Sequence, residues 1–281
     1  MLAITAFIRE HLFSIYAPEE VRTLTYWIIE HVCGLSLAQQ LSAKDSHLTP
    51  EQQMTIQRII SRLERHEPIQ YVLGECSFYG LMFYVNPSVL IPRPETGELV
   101  EHILNNHRES NLRLLDIGTG SGCIAITLAQ KLLHAQVFAI DVSPKAIATA
   151  EKNARRNGVE IHFQCVDLFD PQLMFHDPFD LIISNPPYVR QSEKSEMSPN
   201  VLDYEPHTAL FVPDDDPLLF YRCAARRAKE WLAPGGRLYF EINAALAEEM
   251  VALLREEGYS HVCTWRDMQG RERFAAAQVA K

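Results

Sequence analysis

The run Asp180-Leu181-Ile182-Ile183-Ser184-Asn185-Pro186-Pro187-Tyr188 joins an apolar stretch to an asparagine, two prolines and a tyrosine. It reads as a buried strand ended by a stiff turn, because proline restrains the residue before it and cannot extend a ladder. Its chemistry is that of paired acceptors. The Asn185 side-chain oxygen and the main-chain oxygen of Pro186, a residue with no N–H of its own to interfere, can accept both N–H bonds of a planar amide or amine. Such a nitrogen is a poor nucleophile, since its lone pair is delocalised, so a site that acts on it must orient it and meet the charge that grows on it. Pro187 and Tyr188 would wall the slot.

A second cluster suits a cofactor. Leu114-Leu115-Asp116-Ile117-Gly118-Thr119-Gly120-Ser121-Gly122 runs off a strand into a helix beginning near Cys123, and glycines there let the backbone approach a ligand closely. Alone, that spacing also fits a tight steric turn. Asp141, which closes the next strand nineteen residues beyond Gly122, stands where a doubly wound fold presents a carboxylate to ribose hydroxyls. Ser143, ahead of Pro144, already supplies the helix cap that Asp141 would otherwise explain. Asp167 followed by Leu168-Phe169 pairs a polar acceptor with apolar surface, as the amino group and faces of an adenine require. A dinucleotide fits less well: its third glycine would fall one residue past Gly122, and Asp116 would repel a pyrophosphate. Asp116 suits the ammonium and sulfonium end of S-adenosylmethionine. The expected cofactor is therefore S-adenosylmethionine, held by Gly118, Thr119, Gly120, Ser121, Gly122, Asp141, Asp167, Leu168 and Asn185, with no metal.

The surrounding pattern supplies the elements that must position these groups. Helical stripes at Val21, Leu24 and Ile28, and at Ile56, Ile59, Ile60 and Leu63, predict a small N-terminal helical bundle. Thr49-Pro50-Glu51-Gln52 carries a capping box that starts the helix bearing the second stripe. From His66 to about Pro94, short aromatic and β-branched runs broken by glycine and proline predict a hairpin-like connector. Strands are then expected at Leu112–Asp116, Val137–Asp141, Ile161–Asp167, Leu181–Asn185 and Arg237–Ile242, alternating with helices. One helix opens at Ser143-Pro144 and ends at Gly158; the last spans Ala244–Glu257. Val262–Trp265 and Phe274–Val279 close the sheet with an antiparallel edge. The fold class is α/β with a parallel, doubly wound sheet. The stretch from Val189 to Asp216 is too long for an ordinary connection and reads as a substrate-covering loop with Asp214-Asp215-Asp216 as its solvated tip. Arg93 and Glu95 either face the slot or pair at the surface.

Bulk properties narrow the function classes. The chain has 281 residues, 47% of them hydrophobic, enough for a large core, and 36 acidic against 26 basic residues, which argues against an extended nucleic-acid footprint. Six cysteines without a C-x-x-C pair indicate neither a zinc site nor a disulfide framework. Without a long apolar run, neither a membrane span nor a secretory leader is expected, and the reading is a soluble cytoplasmic protein.

Several segments together resemble the release factor glutamine methyltransferase family. They are Glu67-Pro68-Ile69-Gln70-Tyr71-Val72-Leu73-Gly74, Phe78-Tyr79-Gly80, Ile91-Pro92-Arg93-Pro94-Glu95-Thr96, the glycine loop, Asn185 to Tyr188, and Tyr204-Glu205-Pro206 with Ala209-Leu210. The resemblance implies a seven-stranded Rossmann-like methyltransferase sheet preceded by the helical bundle, which helps recognise a protein substrate. It divides the chain into a helical recognition domain (1–72), a connector (73–94) and a methyltransferase domain (95–281). It implies methylation of the glutamine amide in the Gly-Gly-Gln motif of peptide chain release factors, with Asn185 and Pro186 catalytic and Pro187 and Tyr188 completing the substrate slot. Leu168 stands where relatives place an aromatic against the adenine, a role Phe169 can share. Two rivals are an adenine or guanine amino-group methyltransferase and a noncatalytic adenosyl-ligand-binding module. Residues 1–72 carry six basic against eight acidic side chains, a net of minus two, so direct nucleic-acid binding is not expected.

Overall fold

The computed structural model describes residues 2–42 and 48–280. Helices come first: α1 (Leu2–Leu12), α2 (Pro18–Cys33), α3 (Leu37–Ser42), α4 (Pro50–Leu63) and α5 (Ile69–Leu73). A hairpin, β1 (Glu75–Phe78) and β2 (Leu81–Tyr84), leads to α6 (Pro94–Asn106). Alternation follows through β3 (Arg113–Ile117), α7 (Cys123–Lys131), β4 (Gln136–Asp141), α8 (Pro144–Asn157), β5 (His162–Cys165) and β6 (Phe179–Ser184). Next come β7 (Val189–Arg190), α9 (Pro199–Leu202), β8 (Phe211–Val212) and α10 (Leu219–Trp231). The chain closes with β9 (Leu232–Glu241), α11 (Ala247–Glu256), β10 (Ser260–Arg266) and β11 (Glu272–Gln278). Among the described residues, no helix is long and apolar enough to cross a membrane.

Two compact units result. One comprises the residues up to Glu75 together with Ser198–Tyr204; the other comprises Cys76–Met197 and the residues from Glu205 onward. In the helical unit, both expected stripes are buried, each residue no more than 4% exposed, and they meet in one apolar cluster. The capping box of α4 is complete: Thr49 Oγ1 accepts from Gln52 N–H at 3.2 Å and Gln52 Oε1 accepts from Thr49 N–H at 2.9 Å. The Tyr204 hydroxyl donates to the Arg65 carbonyl at 2.7 Å, so the stretch after β7 re-enters this unit.

The second unit is built on a seven-stranded sheet of order β10-β11-β9-β6-β3-β4-β5. Strands β3, β4, β5, β6 and β9 pair in parallel, and β11 runs antiparallel between β9 and β10. Apolar clusters fill both faces, as a sheet covered by helices requires. The strand order reverses between β3 and β6, and this reversal opens a crevice at their carboxyl ends. The hairpin turns on Tyr79 and Gly80, both at positive φ (48° and 78°), the conformation a two-residue hairpin turn demands. Fully buried Asn153 of α8 fixes the hairpin to the glycine loop. Its Oδ1 accepts from Tyr84 N–H at 2.6 Å, and its Nδ2 donates to the carbonyls of Tyr84 and Ser121 at 3.0 and 2.9 Å.

Some boundaries differ from expectation. The third strand of the alternation stops at Cys165 rather than Asp167, because the Asp167 carboxylate accepts from Phe169 N–H at 2.9 Å and turns the chain. Strand β9 begins at Leu232, five residues before the expected Arg237, where Leu232 pairs with Phe179. The last helix opens with a 3-10 turn, Ala244–Leu246, capped by the Asn243 side chain. The stretch after Tyr188 is folded rather than open: β7 and β8 pair in parallel. Asp214, expected only as part of a solvated tip, is exposed yet accepts from the N–H and hydroxyl of Ser192, both at 3.0 Å, and so ties the stretch together.

Gly122 shows how tightly the glycine loop is seated. It lies at φ +82°, and an added Cβ would come within 2.8 Å of Ile126 Cδ1 and 3.2 Å of Ala150 Cβ. Gly122→Ala therefore adds left-handed strain to overpacking, with an expected loss of roughly 2–4 kcal/mol. Urea denaturation checks this, and an unchanged midpoint would mean that the loop yields freely.

Candidate active site

The two motif-bearing loops leave neighbouring strands side by side. Ile117 at the end of β3 pairs with Ser184 at the end of β6, and the Ser184 hydroxyl donates to the Ile117 carbonyl at 2.8 Å. One cavity opens there. Gly118, Thr119, Gly120 and Ser121 line it from one side, and Asn185, Pro186 and Pro187 from another. Asp141, Asp167, Leu168, Phe169 and Phe220 lie on the same wall system.

The glycine loop is held by its own backbone and by Asp141. Gly118 and Thr119 N–H both donate to the Ile140 carbonyl, at 2.9 and 3.0 Å. Asp141 Oδ2 accepts from Gly120 N–H and Oδ1 from Ser143 N–H, each at 2.9 Å. Burial raises the Asp141 pKa, and these N–H donors oppose the rise. A Cβ at Gly118 or Gly120 would meet no atom within 4 Å, so both positions face open space at positive φ. Open backbone, a carboxylate with lone pairs to spare, and apolar walls at Leu168 and Phe169 form a set that fits a nucleoside. Both residues considered for the adenine face line the cavity, and Phe169 packs edge-on to Phe220.

Other expected residues sit differently. Gly122 does not line the cavity but packs against α8. Asp116 is 2% exposed and accepts the Thr119 hydroxyl at 2.6 Å, so it acts from behind the loop; burial pushes its pKa up to about 7, against the pull of that hydroxyl. Tyr188 is not part of the wall either: its hydroxyl turns to Glu241 Oε1 at 3.2 Å. Of the pair left open, Arg93 lines the cavity and bonds Glu205 at 2.6 Å, whereas Glu95 accepts from Gln269 at 3.2 Å.

Three further groups carry no role in the sequence reading. Glu241 is 1% exposed and accepts from the Thr96 hydroxyl at 2.6 Å; Thr96 Oγ1 in turn receives Asn185 Nδ2 at 3.3 Å. Glu205 is 3% exposed and accepts from Ile91 N–H as well as from Arg93. For Glu241 the available signal was its place as a lone acid closing the apolar run Leu238-Tyr239-Phe240, since an ionisable group is buried only with partners; Thr96 and Glu205 lie in segments that carry the family resemblance.

Comparison with known proteins settles the family. A methyltransferase domain model matches residues 108–275, and a PrmC N-terminal domain model matches residues 9–74. A release factor glutamine methyltransferase of Bacteroides thetaiotaomicron is 46% identical over 277 residues, which cover 99% of either chain. The chain belongs to the release factor glutamine methyltransferase family. A member from Flavobacterium psychrophilum is also 46% identical, over 94% of this chain and 93% of its own. A methyltransferase from Pyrococcus furiosus, 18% identical, shares the fold with a TM-score of 0.53 over 83% of this chain and all of its own.

Two expected outcomes test the geometry. Asp141→Ala removes the acceptor that holds Gly120 and faces the cavity, so S-adenosylmethionine affinity should fall by about 1.5–3 kcal/mol for each charge-assisted bond lost; an unchanged dissociation constant in calorimetry takes Asp141 out of the site. For Asp116, the ordinary value of 3.8 applies to the unfolded chain and about 7 to the fold. Its raised folded value means that stability is full below about pH 4, falls as pH rises to 7, and stays level above. Asp116→Asn should gain stability relative to the parent across that window, by on the order of 4 kcal/mol in total. Denaturation at several pH values measures it, and parallel pH profiles would refute the assignment.

Proposed function

We propose that this methyltransferase transfers the methyl group of S-adenosylmethionine to the side-chain amide nitrogen of the glutamine in the Gly-Gly-Gln motif of peptide chain release factors. The observation that carries the reading is that Asn185 and Pro186 stand on the same cavity wall system as the glycine loop and Asp141. Acceptors for an amide and a seat for a nucleoside thus share one crevice. The names of the relatives from Bacteroides and Flavobacterium support the substrate class.

Gly118, Thr119, Gly120 and Ser121 would hold the cofactor backbone, Asp141 its ribose hydroxyls, and Asp167, Leu168 and Phe169 its adenine. When bound, S-adenosylmethionine supplies a methyl on a cationic sulfur. Asn185 Oδ1 and the Pro186 carbonyl accept the two amide N–H bonds and turn the nitrogen toward that methyl. Asn185 and Pro186 would thus hold the nitrogen lone pair in line with the methyl, and the N–H proton displaced by methylation would leave to solvent. Holding the reacting atoms in line supplies several kcal/mol, and the acceptors stabilise the positive charge that grows on nitrogen. Pro187 narrows the slot.

The helical unit, with its net acidic charge, is assigned to the protein substrate rather than to nucleic acid. All six cysteines are free thiols, which suits a reducing compartment such as the cytoplasm.

The test is incubation of unmethylated release factors with the protein and S-adenosylmethionine, followed by peptide mass spectrometry. A single methyl is expected on the Gly-Gly-Gln glutamine; methylation elsewhere, or none, counts against the reading. Asn185→Ala should slow single-turnover transfer by roughly 10²–10³-fold while cofactor affinity changes little. Near-normal turnover would reduce Asn185 to a turn residue.

A further inference from the structure

An asparagine amide has two ends of opposite polarity, and the proposed chemistry works with only one of them. If the NH2 group faced the substrate, donor would meet donor. Nothing in the strand or the prolines sets this choice, because the two ends have nearly the same shape. The surroundings of Asn185 do.

Thr96 Oγ1 stands 3.3 Å from Asn185 Nδ2 and 2.6 Å from Glu241 Oε2. A hydroxyl has one hydrogen. An ionised carboxylate can only accept, so that hydrogen goes to Glu241, and Thr96 is left with lone pairs alone for Asn185. Only the NH2 end satisfies them. Tyr188 donates to the other oxygen, Oε1, at 3.2 Å, which completes an acceptor-only carboxylate with a donor on each oxygen. We infer that Glu241, through Thr96, sets the polarity of the Asn185 amide and so keeps Oδ1 toward the substrate nitrogen, making both positioning residues for methyl transfer. The inference rests on the acceptor role of Asn185 given above.

A neutral group in place of the carboxylate reverses the relay. A glutamine or a protonated Glu241 can donate to Thr96, whose hydrogen is then free to turn toward Asn185 Oδ1 and favour the flipped amide. Burial pushes the Glu241 carboxyl up from its ordinary range, opposed by the Thr96 and Tyr188 hydroxyls and by Arg273 of β11, while Glu95 of α6 adds to the rise. The Tyr221 hydroxyl from α10 donates to the Glu241 main-chain carbonyl at 3.1 Å rather than to its carboxylate. Protonation on acidification therefore weakens the orientation of Asn185.

The experiment compares Thr96→Val, Thr96→Ser, Glu241→Gln and Asn185→Ala with the parent. Single-turnover methylation of an unmethylated release factor is measured beside S-adenosylmethionine titration and thermal melting. Thr96→Val and Glu241→Gln should each slow transfer by roughly 10–100-fold, with cofactor affinity within about twofold, and Thr96→Ser should recover most of the rate. The parent should show an acid limb in its single-turnover pH profile that Glu241→Gln lacks. Full rates for Thr96→Val and Glu241→Gln beside a slow Asn185→Ala overturn this inference and leave the proposed function standing. A full rate for Asn185→Ala overturns both. Rate losses that merely follow cofactor affinity or melting, without recovery by Thr96→Ser, also overturn it.

Discussion

The parallel pairing of β3 with β6, closed by the Ser184 hydroxyl on the Ile117 carbonyl, is the constraint on which the rest of the site depends. The strand order reverses at this pair, so the two chains leave the sheet in divergent directions and a crevice opens between them. The glycine loop follows Ile117 without an intervening residue, and Asn185 follows Ser184 in the same way. A one-residue slip would turn every side chain of either strand to the opposite face and separate the two loops. The packed clusters on both faces of the sheet oppose such a slip.

Carboxylates then hold the loops around that crevice. Asp141 takes Gly120 and Ser143, Glu205 takes Ile91 and Arg93, and Glu241 takes Thr96 and Tyr188. Each acid joins chain segments that the sheet alone would leave independent. Burying a charge is costly unless it is fully paired, and removing one partner leaves the other exposed to that cost. The same feature that rigidifies the site thus makes it sensitive to single substitutions.

Much of this is legible in the chain because it is local. The glycine loop, the proline-stiffened turn after Ser184 and the capping box of α4 are set by residues within a few positions of one another, and each appears where its pattern indicates. Carboxyl ends of strands also follow from alternation, which brings Asp141 and Asn185 to one edge of the sheet. What escapes is long-range. Thr96 reaches Glu241 across 145 positions, Arg93 reaches Glu205 across 112, and Asn185 reaches Thr96 across 89. No periodicity in one sequence encodes such partners. The partner of Tyr188 is hidden for the same reason: its hydroxyl finds a buried acceptor, Glu241, 53 positions away, that only the fold supplies.

In the proposed reading, one crevice seats the adenosyl group on the glycine loop and grips the substrate amide with Asn185 and Pro186. A crystal structure of the protein with S-adenosylhomocysteine and a peptide containing Gly-Gly-Gln tests it most directly. The glutamine amide nitrogen is expected within hydrogen-bond distance of both Asn185 Oδ1 and the Pro186 carbonyl, facing the cofactor sulfur. A glutamine held elsewhere, or an Asn185 amide with its nitrogen toward the substrate, would contradict it.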